Sequence, residues 1–411
     1  MYGFRWPRAT PRNSHAALLA YGMHSKLPPI PSWTSALVAV LIGFGGTVAL
    51  VVQAMRTLGA TVEQTGSAVT ALCLAMGVTG IVASMRVRMP IVLAWSTPGA
   101  ALLGATTAGL RWEVAIGVFV AAAAMMILVG LIPVLGRLAE RMPNAIASAM
   151  LAGVLMPFSL ELFRLGAVDP LLVSLLVVVY VAARQRVPLY ALLLVLTSGL
   201  LLTLARGDIA DVPAGATFGA LLPVMPVFDL RAIVSVGVPL FLVTLVSQNL
   251  PGLVVLRSAG YQPQAGPLLL GTGFASLLAA PFGAHAVNLA AIVAALCTNK
   301  DAHPDHHRRW VVGVLYGAFY LLLALFSPVL VRVFVALPHS TIAALTGVAL
   351  IPSIIGAIEQ MLGDVDARDP AIITFLATAS GLALFGLGAA LWGLLAGFVA
   401  LGIKALLRRA R

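Results

Sequence analysis

Long apolar runs, separated only by short clusters of Arg, Pro, Gly and Asp, constrain this chain more than any other feature. A helix needs about 20 mostly apolar residues to cross the hydrocarbon of a bilayer. Runs of roughly that kind recur at 34–55, 64–85, 91–109, 113–133, 144–163, 168–183, 187–205, 232–255, 265–280, 283–298, 310–331, 338–359, 370–386 and 388–406. Fourteen spans would occupy about 280 of the 411 residues and leave short loops. The chain is 61% hydrophobic and 9% charged, with a mean hydropathy of +1.04. Soluble domains run near 45–50% and 25%. The expected fold class is therefore an all-α polytopic membrane protein.

The formal charge of +11 does not point to nucleic acid, because the basic residues are scattered between apolar runs and build no continuous patch. They read instead as topology signals. An even span count places both termini on one side. If that side is the cytoplasm, the inner segments hold 19 of the 25 Lys and Arg residues and the outer ones 6, in the sense of the positive-inside rule. The outer six are Arg56, Arg111, Arg164, Arg206, Arg231 and Arg332. Residues 1–30, with Arg5, Arg8 and Arg12, lack an apolar core for a signal peptide and read as a disordered cytoplasmic tail, with Met23 an alternative start. Residues 407–411 form a second short cytoplasmic tail. Cys73 and Cys297 lie far apart in apolar segments, in neither a disulfide nor a metal pattern.

The chain contains a weak repeat. Arg56-Thr57-Leu58-Gly59 follows the first span and Arg257-Ser258-Ala259-Gly260 the eighth; Gly153 to Pro157 in the fifth matches Gly347 to Pro352 in the twelfth. Seven spans separate each pair, so the halves run in opposite directions, as in the inverted repeats of secondary transporters. Chance matches among the Gly and Pro common in membrane helices are the competing reading.

Two spans are broken. Ile91 to Trp95 is a β-branched, strand-like run, and Ser96-Thr97-Pro98-Gly99 looks like a helix start in mid-membrane, with a Ser or Thr cap and Pro in the first turn. In the tenth span Ala280-Pro281-Phe282-Gly283 interrupts the chain before a half-helix expected to open at Ala284-His285-Ala286-Val287-Asn288. Irregular backbone at that depth must be buried in protein or line a cavity. Converging half-helix N-termini would favour an anion. Two ordinary kinked helices are the plainer alternative.

Several polar residues lie in the apolar zone. His285 and Asn288, three apart, would share a face of the tenth helix; Gln248 and Asn249 sit in the eighth span and Gln53 in the first. Unpaired amides cost about 1–3 kcal/mol each when buried, so these groups need partners or a wet cavity. His285 is the first candidate for proton coupling, since histidine titrates near neutrality; a satisfied core histidine is the alternative. Glu161 and Glu359 are further proton-coupling candidates, against simple snorkelling at the interface. His303, His306 and His307 sit in a charged loop that reads as a solvated turn, so no metal and no cofactor are expected.

Leu93 to Leu103, Gln248-Asn249-Leu250-Pro251-Gly252, Gly283 to Ile292, and Ala302-His303-Pro304-Asp305 before Arg308-Arg309-Trp310 closely resemble the benzoate membrane transport family, the BenE-type benzoate:proton symporters. The resemblance covers nearly everything after residue 30. It implies a seven-plus-seven inverted repeat like that of nucleobase symporters and sulfate permeases, with short strands before the half-helices of spans three and ten. The implied core (transport) domain is 31–133 with 232–331, and the gate domain is 134–231 with 332–406. In the nucleobase relatives an acidic residue in span eight binds substrate. Here that region offers Gln248 and Asn249, which suits an anion that a glutamate would repel.

The expected function is import of benzoate or a related aromatic carboxylate by proton symport across a bacterial inner membrane, with a carrier of another small anion or a nucleobase as the alternative. The ring would lie against Phe44, Trp95 or Phe282. The carboxylate would meet Ser96, Thr97, Pro98 and Gly99 on one side and Gly283, His285, Ala286 and Asn288 on the other, with Gln248 and Asn249 nearby. Expected partners are the substrate, protons and the lipid bilayer, with a second copy of the chain at the gate domain as a candidate and no nucleic acid. No His-Glu-x-x-His, no Gly-x-Ser-x-Gly and no paired acids in the apolar zone point to an enzyme.

Overall fold

The computed structural model describes residues 27–106, 110–132, 134, 143–385 and 387–409. The N-terminal tail through Lys26, the basic residues Arg137 and Arg141, and Arg411 lie outside them. The protein is a mostly helical polytopic membrane protein. Among the described residues nine helical stretches are long and apolar enough to cross a membrane, and the 16-residue apolar helix Ala191–Arg206 is shorter.

The first stretch is two helices, α1 (Ile30–Gly45) and α2 (Val48–Thr57), joined at Gly46-Thr47. It begins four residues before the expected span because Pro31 takes the first turn, where its missing N–H costs nothing. α3 (Val62–Val87) opens on a reciprocal capping box between Thr61 and Gln64. β1 (Leu93–Trp95) and α4 (Thr97–Gly104) follow, then α5 (Trp112–Leu131) and α6 (Asn144–Arg164). α7 (Pro170–Arg186) and α8 (Ala191–Arg206) form a hairpin closed by Asp169 and Arg206.

Residues 207–229 then run without helix or strand against three helices. Hydrogen bonds hold the segment down: Gly219 N–H to the Leu325 carbonyl, Leu222 N–H to Ser67 Oγ, and Val227 N–H to the Glu113 carbonyl.

α9 (Leu230–Ser258) is continuous but widens into π turns at Ile233–Gly237 and Leu245–Asn249. Pro239 and Pro251 explain both, since neither donates to the carbonyl four residues back, at Ser235 and Ser247. α10 (Ala265–Ala279), β2 (Val287–Leu289), α11 (Ile292–Thr298), α12 (Trp310–Ala336), α13 (His339–Gly363), α14 (Arg368–Ala379) and α15 (Ala389–Arg409) complete the chain.

α3 packs along α12, α5 along α10, α6 along α13 and α14, and α14 along α15. Where α3 meets α12 a Cβ on Gly77 would stand 2.8 Å from the Gly317 carbonyl oxygen, so the backbones touch as small residues allow in lipid. One large apolar core runs through most of these helices, and a smaller one joins α6, α7, α8 and α13 around Leu176 and Leu345.

Candidate functional site

β1 and β2 pair antiparallel, with Leu93 opposite Leu289, Ala94 opposite Asn288 and Trp95 opposite Val287. In lipid the outer edges of such a ribbon must also be satisfied. The Tyr316 hydroxyl donates to the Leu93 carbonyl at 2.9 Å, and Asn249 Oδ1 accepts the Leu289 N–H at 3.0 Å. Two serines clamp the entering chain in the same way: Ser84 Oγ accepts Ile91 N–H and donates to the Ile91 carbonyl, and Ser276 Oγ does both with Val287.

The strand accounts for a correction. The tenth span does not open a helix at Ala284; Gly283, at φ +98°, turns the chain into an extended segment, and α11 starts at Ile292. A side chain at Gly283 would press on Ala68 and Trp112 at 2.7 and 2.9 Å. His285 and Asn288 therefore share no helix face. Neither Gly283 nor Ala284 offers a side chain to cap a helix at that point, and the segment pairs with β1, whose backbone would otherwise be orphaned.

The first break is as expected. Ser96 Oγ accepts the Gly99 N–H at 2.9 Å, and Pro98 sits in the first turn of α4.

A cavity of about 390 Å³ opens beside these breaks. Trp95, Thr97, Pro98 and the stretch Ala290 to Val293 line it from the two broken spans. Ile42, Gly43 and Thr47 come from the α1–α2 junction, and Ser247, Gln248 and Pro251 from the second π turn of α9. Ser148, Leu151 and Leu192 face them with Pro352, Ser353, Gly356, Ala357 and Gln360 of α13. None of these described lining residues is ionisable.

Trp95 is held rigidly. Its Nε1–H donates to Thr47 Oγ1 at 2.8 Å, Thr47 donates to the Gly43 carbonyl, and Phe44 and Tyr320 pack on the indole at 5.3 and 6.4 Å between centroids. A flat apolar face next to the positive end of α4 suits an aromatic ring bearing an anion. The site can bind and orient such a ligand.

Of the expected site residues, Trp95, Thr97, Pro98 and Gln248 line the cavity. Phe44 lies behind Trp95, Ser96 caps α4, and the Gly99 N–H is consumed by that cap. Asn249 and Asn288 bond to each other at 2.9 Å and brace β2. Phe282, Gly283 and Ala286 belong to the turn and extended segment before β2, outside the lining. His285 is buried, with Nε2 donating to the Ser96 carbonyl and no partner at Nδ1 among the described residues. Glu161 pairs with Arg164 at 3.5 Å, and Glu359 is exposed, one residue before Gln360. Thr47, Ser148 and Gln360 were not expected in the site. The stretch Gly43-Phe44-Gly45-Gly46-Thr47, small and polar within an otherwise apolar run, is a sequence signal for the first, and Ser148 has none.

The model of the family described as benzoate membrane transport protein matches residues 29–403. The chain belongs to this family. It is 40% identical over 375 residues to the inner membrane protein YdcO of Escherichia coli, covering 91% of this chain and 95% of that one. It is 35% identical over 362 residues to the benzoate membrane transport protein of Acinetobacter baylyi, covering 88% and 92%. The fold resembles the transmembrane domain of a cyanobacterial bicarbonate transporter, BicA, with a TM-score of 0.59 at 15% identity over 90% and 97% of the two chains. It also resembles the murine anion transporter Slc26a9 in its inward-facing state, with a TM-score of 0.61 at 13% identity over 99% and 74%. The protein is thus a membrane transporter of the benzoate family with the fold of anion carriers.

Proposed function

We propose that this transporter imports benzoate or a close aromatic carboxylate by proton symport across a bacterial inner membrane, with both termini cytoplasmic. One observation carries the reading: a cavity of about 390 Å³ is lined by Trp95, by Thr97 and Pro98 at the start of α4 and by Gln248, with no ionisable side chain among its described lining. The ring rests on Trp95 and the carboxylate takes the positive end of α4 at Thr97. The relative from Acinetobacter, named for benzoate, supports the substrate.

The seven-plus-seven inverted repeat is part of the proposal. It is supported by exchanged packing partners, α3 with α12 and α5 with α10, and by the twin clamps of Ser84 and Ser276. The core domain is 31–133 with 232–331, the gate is 134–231 with 332–406, and a second copy of the chain would dock on the gate. Under this orientation the cavity lies toward the cytoplasmic ends of α6 and α13. Co-transport of a proton cancels the anion's charge, which otherwise costs about 2.3 kcal/mol per 100 mV against an inside-negative potential.

Labelled benzoate uptake into proteoliposomes tests this. Saturable uptake accelerated by an inward proton gradient is expected. Uptake indifferent to the gradient removes symport, and no uptake removes benzoate.

A further inference from the structure

The cavity beside Trp95 has more room than a single ring needs. A dry apolar cavity of about 150 Å³ takes up benzene, and this one measures about 390 Å³. Its lining on α13 includes polar residues that the fold leaves unused. Serine and threonine in helices commonly return their hydroxyl hydrogen to a carbonyl one turn back, as Thr70, Thr203, Ser276 and Thr374 do here. Ser353 does not. Its hydroxyl has no hydrogen-bond partner among the described residues, yet it is not fully buried.

Ser353, Gly356, Ala357 and Gln360 are spaced i, i+3, i+4 and i+7, so they share one face of α13, and all four line the cavity. Between the two polar members that face is recessed: a Cβ on Gly356 would meet no atom within 4 Å, and Ala357 is small. From α6, Ser148 Oγ donates to Gln360 Oε1 at 3.0 Å. That bond holds the amide oxygen of the exposed Gln360 and leaves its Nε2 hydrogens without a partner among the described residues. The recess thus offers an acceptor at Ser353 and a donor at Gln360. It carries no net sign: Ser148 lies near the N-terminal end of α6 and Gln360 near the C-terminal end of α13, and those opposite dipole ends offset each other.

We propose that this recess is a subsite for a hydroxyl group on the ring, so that the transporter takes hydroxybenzoates as well as the unsubstituted acid. With the carboxylate at Thr97, the far side of the ring is left for α13. The phenolic O–H donates to Ser353 Oγ, and the phenolic oxygen accepts from Gln360 Nε2. An apolar substituent of similar size displaces water from both groups and returns no hydrogen bond to either. The inference rests on the proposed handling of aromatic carboxylates.

Calorimetric binding to the full-length protein in detergent tests it, with benzoate, with 3- and 4-hydroxybenzoate, and with the methylbenzoate of each position as the apolar counterpart. At one of the two positions the hydroxy acid is expected to bind at least fivefold more tightly than its methyl counterpart. Ser353→Ala and Gln360→Ala are each expected to bring that ratio below twofold; a ratio taken within one protein cancels any general change in affinity. Gly356→Leu, which fills the recess, is expected to weaken both substituted acids at that position at least fivefold relative to benzoate. Hydroxy and methyl acids that bind alike at both positions in the unaltered protein would overturn the proposal alone, as would a ratio that survives both Ser353→Ala and Gln360→Ala. No binding of any of these acids would overturn the transport reading with it.

Discussion

Nε2 of His285 lies 2.9 Å from the carbonyl oxygen of Ser96, the oxygen that also accepts the Ala100 N–H at 2.8 Å. A ring from one unwound segment is therefore tied to the helix start that follows the other, and the two halves of the candidate site are joined.

His285→Ala removes that tie and leaves a hole in a packed interior. A loss of about 1–3 kcal/mol is expected, read as a lower melting temperature in detergent together with weaker benzoate binding by calorimetry. An unchanged melt with unchanged binding would assign the ring no structural part.

Trp95→Phe keeps an aromatic wall but loses the hydrogen bond to Thr47, and Thr47→Val loses the same bond from the other side. Each is expected to weaken benzoate binding by about 0.5–1.5 kcal/mol. The double variant should lose little more than either single one, because one bond underlies both effects. Strict additivity in the cycle would contradict this.

Gln248→Glu places a second anion in the inner cavity. Benzoate affinity is expected to fall about tenfold or more, equivalent to 1.4 kcal/mol, and to recover as the pH is lowered and the new carboxyl is neutralised. Tighter binding by this variant at neutral pH would remove the anion-selective reading.

His303 lies outside the spans, in the loop after α11, where burial holds its imidazole below the usual histidine range. Its Nδ1 lies 3.1 Å from both the N–H and the carbonyl of Asp305, and the neutral ring accepts from the N–H. A depressed histidine contributes stability that is full above the unfolded value of about 6.5 and is lost as the pH falls from there toward the folded value. Hydrogen-exchange protection in 299–309, corrected for the pH dependence of intrinsic exchange, should therefore fall between pH 7.5 and 5.5, and His303→Gln should flatten the response. Protection that stays constant with pH in the unaltered loop would count against it.

Which parts of this fold were legible in advance follows from the reach of the forces involved. Solvent choice is a local matter: long apolar runs with scattered basic residues announce a bilayer without any contact being known. The start of α4 is equally local, because a Ser cap and a Pro in the first turn act within four residues. His285 shows where that reading stops. Nothing near it in the chain says whether Ala284 to Asn288 coils or extends; the decision came from β1, nearly 200 residues away, whose backbone in lipid needed a partner. Asn249 likewise reads as a polar group in search of water, and only the folded chain shows it spent on bracing β2. Ser148 and Gln360 carry no signal of their own, since they line a cavity only because α6 and α13 pack together. The sequence by itself determined the solvent, the positions of most long helices and where two spans break, and one of the two helix starts after those breaks. Tertiary structure decided which polar groups hold the backbone and which face the cavity, because in lipid every backbone hydrogen bond must be closed inside the protein before a side chain is left to bind anything else.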